Sequence, residues 1–125
     1  TDERFDLVSC LQTVDHLLDP LGTLQKCRKW ITPHGILVID FVDYLIYARH
    51  FGIEHAMKID HPCNFSEETA AVLLARTGFE PILAHRSQDR RHILFVCRPV
   101  PSLPVAMSSR ENVKALCEEF AGVTP

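Results

Sequence analysis

The chain has 125 residues, a formal net charge of -3, 46% hydrophobic and 23% charged residues, the composition of one ordinary globular domain. The acidic balance excludes a broad basic face for nucleic acid or anionic lipid. No apolar run approaches the roughly 20 residues of a membrane helix.

In chain order, residues 5–11 (FDLVSCL) form a short apolar run that predicts a strand buried on both faces. Asp19-Pro20 is a helix start, with Asp as N-cap and Pro at the first helical position. Leu21, Leu24, Cys27 and Ile31 follow as the apolar stripe, and Lys26, Arg28 and Lys29 favour the C-terminal end of its dipole. Trp30 is expected to pack helix against sheet. Pro33-His34-Gly35 is expected to end this helix. Residues 36–42 (ILVIDFV) then form the clearest buried strand, so the first 42 residues predict a β-α-β unit with parallel strands and a right-handed crossover.

YLIYARHF, residues 44–51, predicts a short helix stopped by Gly52, and residues 61–65 a loop. Ser66 is an N-cap, with Glu67 and Glu68 in the first turn of a helix that stops at Gly78. Residues 79–87 and 92–98 are β-rich with a short connection around Asp89-Arg90, an antiparallel hairpin. Residues 99–104 contain three prolines and predict an extended linker, followed by an amphipathic helix over about 109–120. The expected division is an α/β domain over 1–100 and a linker plus helix over 101–125. The five cysteines (Cys10, Cys27, Cys63, Cys97, Cys117) are odd in number and form no Cys-x-x-Cys pair, which predicts reduced thiols and a cytoplasmic protein.

In order and register, residues 3–100 resemble the C-terminal half of a class I S-adenosylmethionine-dependent methyltransferase of the bacterial small-molecule type. The resemblance is carried by Phe5-Asp6-Leu7-Val8, the pair Asp15-His16, Asp19-Pro20 and the turn Pro33-His34-Gly35, where one family glycine is His. It continues through His61-Pro62-Cys63-Asn64-Phe65-Ser66 and Thr77-Gly78-Phe79-Glu80. It implies a partial Rossmann-like sheet made of strands four, five, seven and six of the family order, with seven antiparallel. The glycine-rich cofactor loop is missing: the five glycines are scattered at 22, 35, 52, 78 and 122, with no Gly-x-Gly.

The resemblance implies methyl transfer from S-adenosylmethionine to a small-molecule acceptor. The strand-end residues Cys10, Leu11, Gln12 and Thr13 would lie nearest the cofactor. His16 is the candidate base, because its unperturbed pKa lies near neutrality, and His61 a candidate for the acceptor pocket. The alternative for each is a loop histidine bonded to backbone. Asp40 and Asp43 face either substrate or a turn. His50, His55, His61 and Cys63 fit no standard zinc spacing, so no metal is expected. Cys10 reads as a buried strand thiol, and Arg86, Arg90, Arg91 and Arg98 as a solvated face rather than an anion site.

With no preceding strand to pair with, residues 5–11 would present a bare edge. That predicts a homo-oligomer, or a partner supplying the missing half, and weak or absent cofactor binding by the chain alone. The reading from another class is a non-catalytic interaction or oligomerisation module built on the same fold.

Overall fold

In the computed structural model, residues 2–101 are described. The expected linker beyond Pro101 and the helix over 109–120 lie outside them. The elements run β1 (Phe5–Cys10), a 3-10 turn (Val14–His16), α1 (Pro20–Trp30), β2 (Ile31–Val42), α2 (Tyr44–Phe51), α3 (Ile53–Ala56), α4 (Glu67–Arg76), β3 (Phe79–Arg86) and β4 (His92–Pro99). The strands form one sheet of order β1-β2-β4-β3. β1 is parallel to β2, while β4 runs antiparallel to both β2 and β3. Among the described residues no helix is long and apolar enough to cross a membrane.

The helices begin where side chains satisfy their free N–H groups. Asp19 accepts from Gly22 N–H at the head of α1, with Pro20 in the first turn. Asp43 accepts from Ile46 N–H to start α2. Ser66 and Thr69 form a reciprocal capping box on α4. At the other end of α4, Gly78 takes φ +84°, and a Cβ there would come within 2.9 Å of the Val100 carbonyl.

β2 alternates buried and half-buried residues from Ile36 onward, so Leu37, Ile39 and Phe41 face one core. Phe41 is its centre, edge-on to Phe65 (5.0 Å between ring centroids) and Phe95 (5.9 Å). Leu24 and Cys27 of α1, and Ala70 and Leu74 of α4, belong to the same cluster. The β-α-β unit, the hairpin and the Ser66-capped helix therefore form as the sequence predicts.

Four expectations are corrected. β1 is not buried on both faces: it is the sheet's edge, with Phe5 44% and Leu7 62% exposed and only Cys10 buried. α1 ends at Trp30, and Ile31 opens β2 instead of closing the helical stripe. Pro33-His34-Gly35 lies within β2 as a bulge: Phe5 pairs with Ile31 and Leu7 with Ile36, so the intervening residues of β2 loop outward. Gly35 is required there, because a Cβ would meet the Ile31 side chain at 2.6 Å and the Phe5 carbonyl at 3.0 Å. Trp30 remains 38% exposed rather than packed under the sheet.

Candidate functional site

The carboxyl ends of β1 and β2 open onto a cavity of about 210 Å³, roofed by the segment from α2 to the loop after α3. This is where open α/β sheets place their ligands. Gln12, Asp15 and His16 line it from the β1 side, Asp40 from β2, and Tyr47, Lys58 and His61 from the roof.

The chain leaves β1 under strain. Gln12 takes φ +49°, a left-handed conformation that costs a non-glycine residue about 1–2 kcal/mol. It is held there by a 2.6 Å hydrogen bond from its N–H to the Asp40 carboxylate. Such strain persists only where the surroundings enforce it, and it collects at sites. The Thr13 hydroxyl donates to the Leu11 carbonyl at 2.7 Å and tightens the same turn.

Beyond the turn, Asp15 is 4% exposed, and its carboxylate accepts from Val42 N–H at 3.4 Å. Burial raises its pKa above the ordinary carboxylate value, an effect that the Val42 N–H and the nearby His61 oppose. Its backbone carbonyl accepts from Cys63 N–H at 3.5 Å, which ties the roof loop to the β1 side. His16 completes the closure. Its Nδ1–H donates to the Asp60 carbonyl at 2.8 Å, and its ring meets His61 edge-on with centroids 4.5 Å apart. One ligand atom from each of His16, Asp60 and His61 lies within 4.8 Å of the others. On the roof, the Lys58 ammonium lies 5.1 Å from the Tyr47 ring centroid.

The sequence candidates divide accordingly. Gln12, His16, His61 and Asp40 meet at the cavity. Cys10 is buried in the core, where burial pushes its thiol up to about 11, so it is no nucleophile. Leu11 and Thr13 are exposed beside the cavity and do not line it. Asp43 is buried as the cap of α2 and pairs with Arg86 at 3.0 Å, away from the cavity. Arg86, Arg91 and Arg98 are paired with carboxylates, as a structural face would be. The sequence reading missed Asp60, Tyr47 and Lys58. No local motif marks them, because Tyr47 and Lys58 reach the cavity, and Asp60 reaches His16, only when the segment from α2 to the roof loop folds over the strand ends.

A profile of the methyltransferase domain matches residues 1–84, more than half of the chain. The chain belongs to the methyltransferase-domain family. Among its relatives, the ubiquinone biosynthesis O-methyltransferase of Haemophilus ducreyi is 30% identical over 60 residues, covering 46% of this chain and 25% of the relative. The enzyme of the same name from Histophilus somni is 34% identical over the same span, with the same coverage. The family chain thus spans about a quarter of the length of these relatives. Of solved structures, a S-adenosylmethionine-dependent methyltransferase from Clostridium acetobutylicum superposes with a TM-score of 0.64 at 9% identity, covering 80% of this chain and 60% of that one. A methyltransferase from Streptomyces caelestis gives 0.63 at 11% identity, with 78% and 58% covered. These likenesses establish the fold as Rossmann-like α/β, with β1, β2, β4 and β3 as the family's strands four, five, seven and six.

Proposed function

We propose that this chain is the acceptor-side half of a S-adenosylmethionine-dependent methyltransferase that methylates an oxygen of a small hydroxylated molecule. The observation that carries the reading is the pair of imidazoles, His16 and His61, meeting over a cavity at the carboxyl ends of β1 and β2. The O-methyltransferase relatives support oxygen as the acceptor atom. The pair is suited to take the proton of an acceptor hydroxyl, since imidazole titrates near neutrality. Because His16 Nδ1–H is engaged by the Asp60 carbonyl, Nε2 is the nitrogen free to accept.

When bound, the cofactor supplies an electrophilic methyl group. The residues present fit one wall of its site: Gln12, in the strained turn after β1 and pinned by Asp40, offers a polar rim, with Leu11 and Thr13 exposed beside it and Cys10 buried behind. The chain carries no Gly-x-Gly for the opposite wall. A preceding half, or a second copy, is therefore assigned the rest of the cofactor site, and the chain alone binds cofactor weakly. A cytoplasmic setting, where unpaired thiols persist, is supported by the four described cysteines, which are free.

The test is methyl transfer from labelled S-adenosylmethionine to hydroxylated aromatics, with the chain combined with the N-terminal half of a similar methyltransferase. Transfer to oxygen that falls about 10²-fold or more in His16→Ala supports the reading. Transfer indifferent to His16 and His61 overturns the base. The exposed edge of β1 favours a second reading, a non-catalytic assembly module. That reading gains if the combination forms a stable assembly yet transfers no methyl group.

A further inference from the structure

We infer that His16, His61 and the Asp60 carboxylate form a binding site for one divalent ion of the zinc class, with a coordination position open to the cavity. The three residues come from two places in the chain, the turn after β1 and the roof loop after α3, brought together across 44 residues of sequence. Their ligand atoms all lie within 4.8 Å of one another. A tetrahedral ion with bonds of about 2.0–2.1 Å holds its ligands roughly 3.3 Å apart. The cluster closes on an ion by side-chain shifts of up to about 1.5 Å, small for residues on a loop.

The orientation of His16 is the stronger argument. Metal-bound histidines almost always donate their second ring N–H to a carbonyl or carboxylate, which fixes the tautomer and aims the other nitrogen. His16 already has that arrangement: Nδ1–H is bonded to the Asp60 carbonyl at 2.8 Å, which leaves Nε2 for an ion. Its ring is edge-on to that of His61, at 89° between planes, so the two can present nitrogens to one point without stacking. The buried Asp15 side chain lines the same cavity beside both histidines. His50 is engaged elsewhere, through Nδ1 with the Ile46 carbonyl, and Cys63 Sγ faces the Leu17 carbonyl.

Ligand chemistry selects the ion. Two imidazoles and one carboxylate suit zinc, cobalt, nickel or ferrous iron, whereas magnesium and calcium take oxygen ligands. Three protein ligands with a fourth position open is the pattern of catalytic zinc sites rather than structural ones. Both histidines line the cavity and Asp60 does not, so the open position faces inward, where water or an acceptor oxygen completes the shell. This deepens the methyl-transfer reading and rests on it only for the acceptor. With an ion bound, the pair would no longer take the acceptor's proton but would hold the charge that makes that proton acidic, and the proton would leave to solvent water at the cavity mouth.

The test is titration of the chain with zinc by calorimetry and with cobalt by visible absorption, without cofactor or acceptor. One ion per chain is expected, with the intense visible bands of four-coordinate cobalt. His16→Ala, His61→Ala and Asp60→Asn should each weaken binding by at least the roughly 10–100-fold that loss of a second-shell partner costs. Each variant's fold is checked by circular dichroism. Absence of saturable binding, affinity unchanged in the three variants, or equal affinity for magnesium overturns the proposal. If a variant fails to fold, the imidazole proton resonances of the unmodified chain decide. Zinc must perturb His16 and His61 before the other histidines, and the reverse order overturns the site. Because the readout is ion binding, failure here leaves methyl transfer standing, and absence of methyl transfer leaves the ion site standing.

Discussion

At the scale of single residues, the cysteines show how position rather than identity sets chemistry. Burial pushes the Cys10 thiol up to about 11 and the Cys97 thiol up to about 12. Thiolate is the reactive form, so both should resist alkylation at pH 8 in the folded chain and react only on unfolding. Among the described cysteines, Cys63 is half-buried on the roof loop and should react first. Mass spectrometry of the chain after brief iodoacetamide treatment checks the order. Labelling of Cys97 ahead of Cys63 would show that β4 is not the packed strand described above. The two histidines were legible among the seven in the sequence because the pair Asp15-His16 and the run from His61 to Ser66 carry the family resemblance and imidazole is chemically distinctive. Asp60 was not, because a loop aspartate has many solvated uses and only the folded roof brings it to His16.

At the scale of elements, the turn between β3 and β4 is built on Asp89. Its carboxylate accepts from the Ser87 hydroxyl at 2.6 Å and from Arg91 Nε at 2.7 Å and backbone N–H at 3.1 Å. These bonds, the Ser87 hydroxyl first, hold its pKa well below the usual carboxylate range. A carboxyl depressed in the folded state contributes stability above its unfolded pKa and loses it as the pH falls toward the depressed value. Asp89→Asn should therefore unfold at a lower temperature than the parent chain at pH 7, and the gap should narrow below about pH 4. Melting curves across that range check it; a gap that widens in acid would sink the assignment. The same turn explains what the sequence revealed. Asp89-Arg90, Ser66 and Asp19-Pro20 act on neighbours a few residues away, so caps and turns can be read locally. The bulge at Pro33-His34-Gly35 could not be read in this way. A Pro-x-Gly run ordinarily closes a helix, and here pairing of Phe5 with Ile31 recruits the preceding residues into the strand.

For the whole molecule, the sheet is asymmetric. β2 is paired on both sides, whereas among the described residues β1 pairs with β2 alone, its other flank free and Phe5 and Leu7 exposed on one of its faces. Edges of this kind recruit another strand. The chain should associate in a concentration-dependent manner, and Leu7→Lys should shift it toward monomer by placing a charge on the flank. Sedimentation velocity across a range of concentrations checks both, and a monomer at every concentration would assign the flank to another segment or partner. The sequence reading foresaw the edge but took β1 as buried on both faces. Its apolar run is that of an interior strand, yet among the described residues the face that carries Phe5 and Leu7 is left uncovered.

The placement of β1 also bears on how the site opens. β1 pairs with β2 across α1, Val8 facing Leu37, and among the described residues it has no second strand to hold it. A strand held on one side detaches more readily than the central β2, which is held on both. The backbone amides of Val8 to Cys10 should exchange with solvent well before those of Leu37 to Phe41. The strained turn at Gln12 and the closure of His16 onto Asp60 hang from that strand. Each brief opening of β1 is thus also an opening of the cavity, and whatever covers the free flank governs how long Gln12, His16 and Asp60 stay assembled.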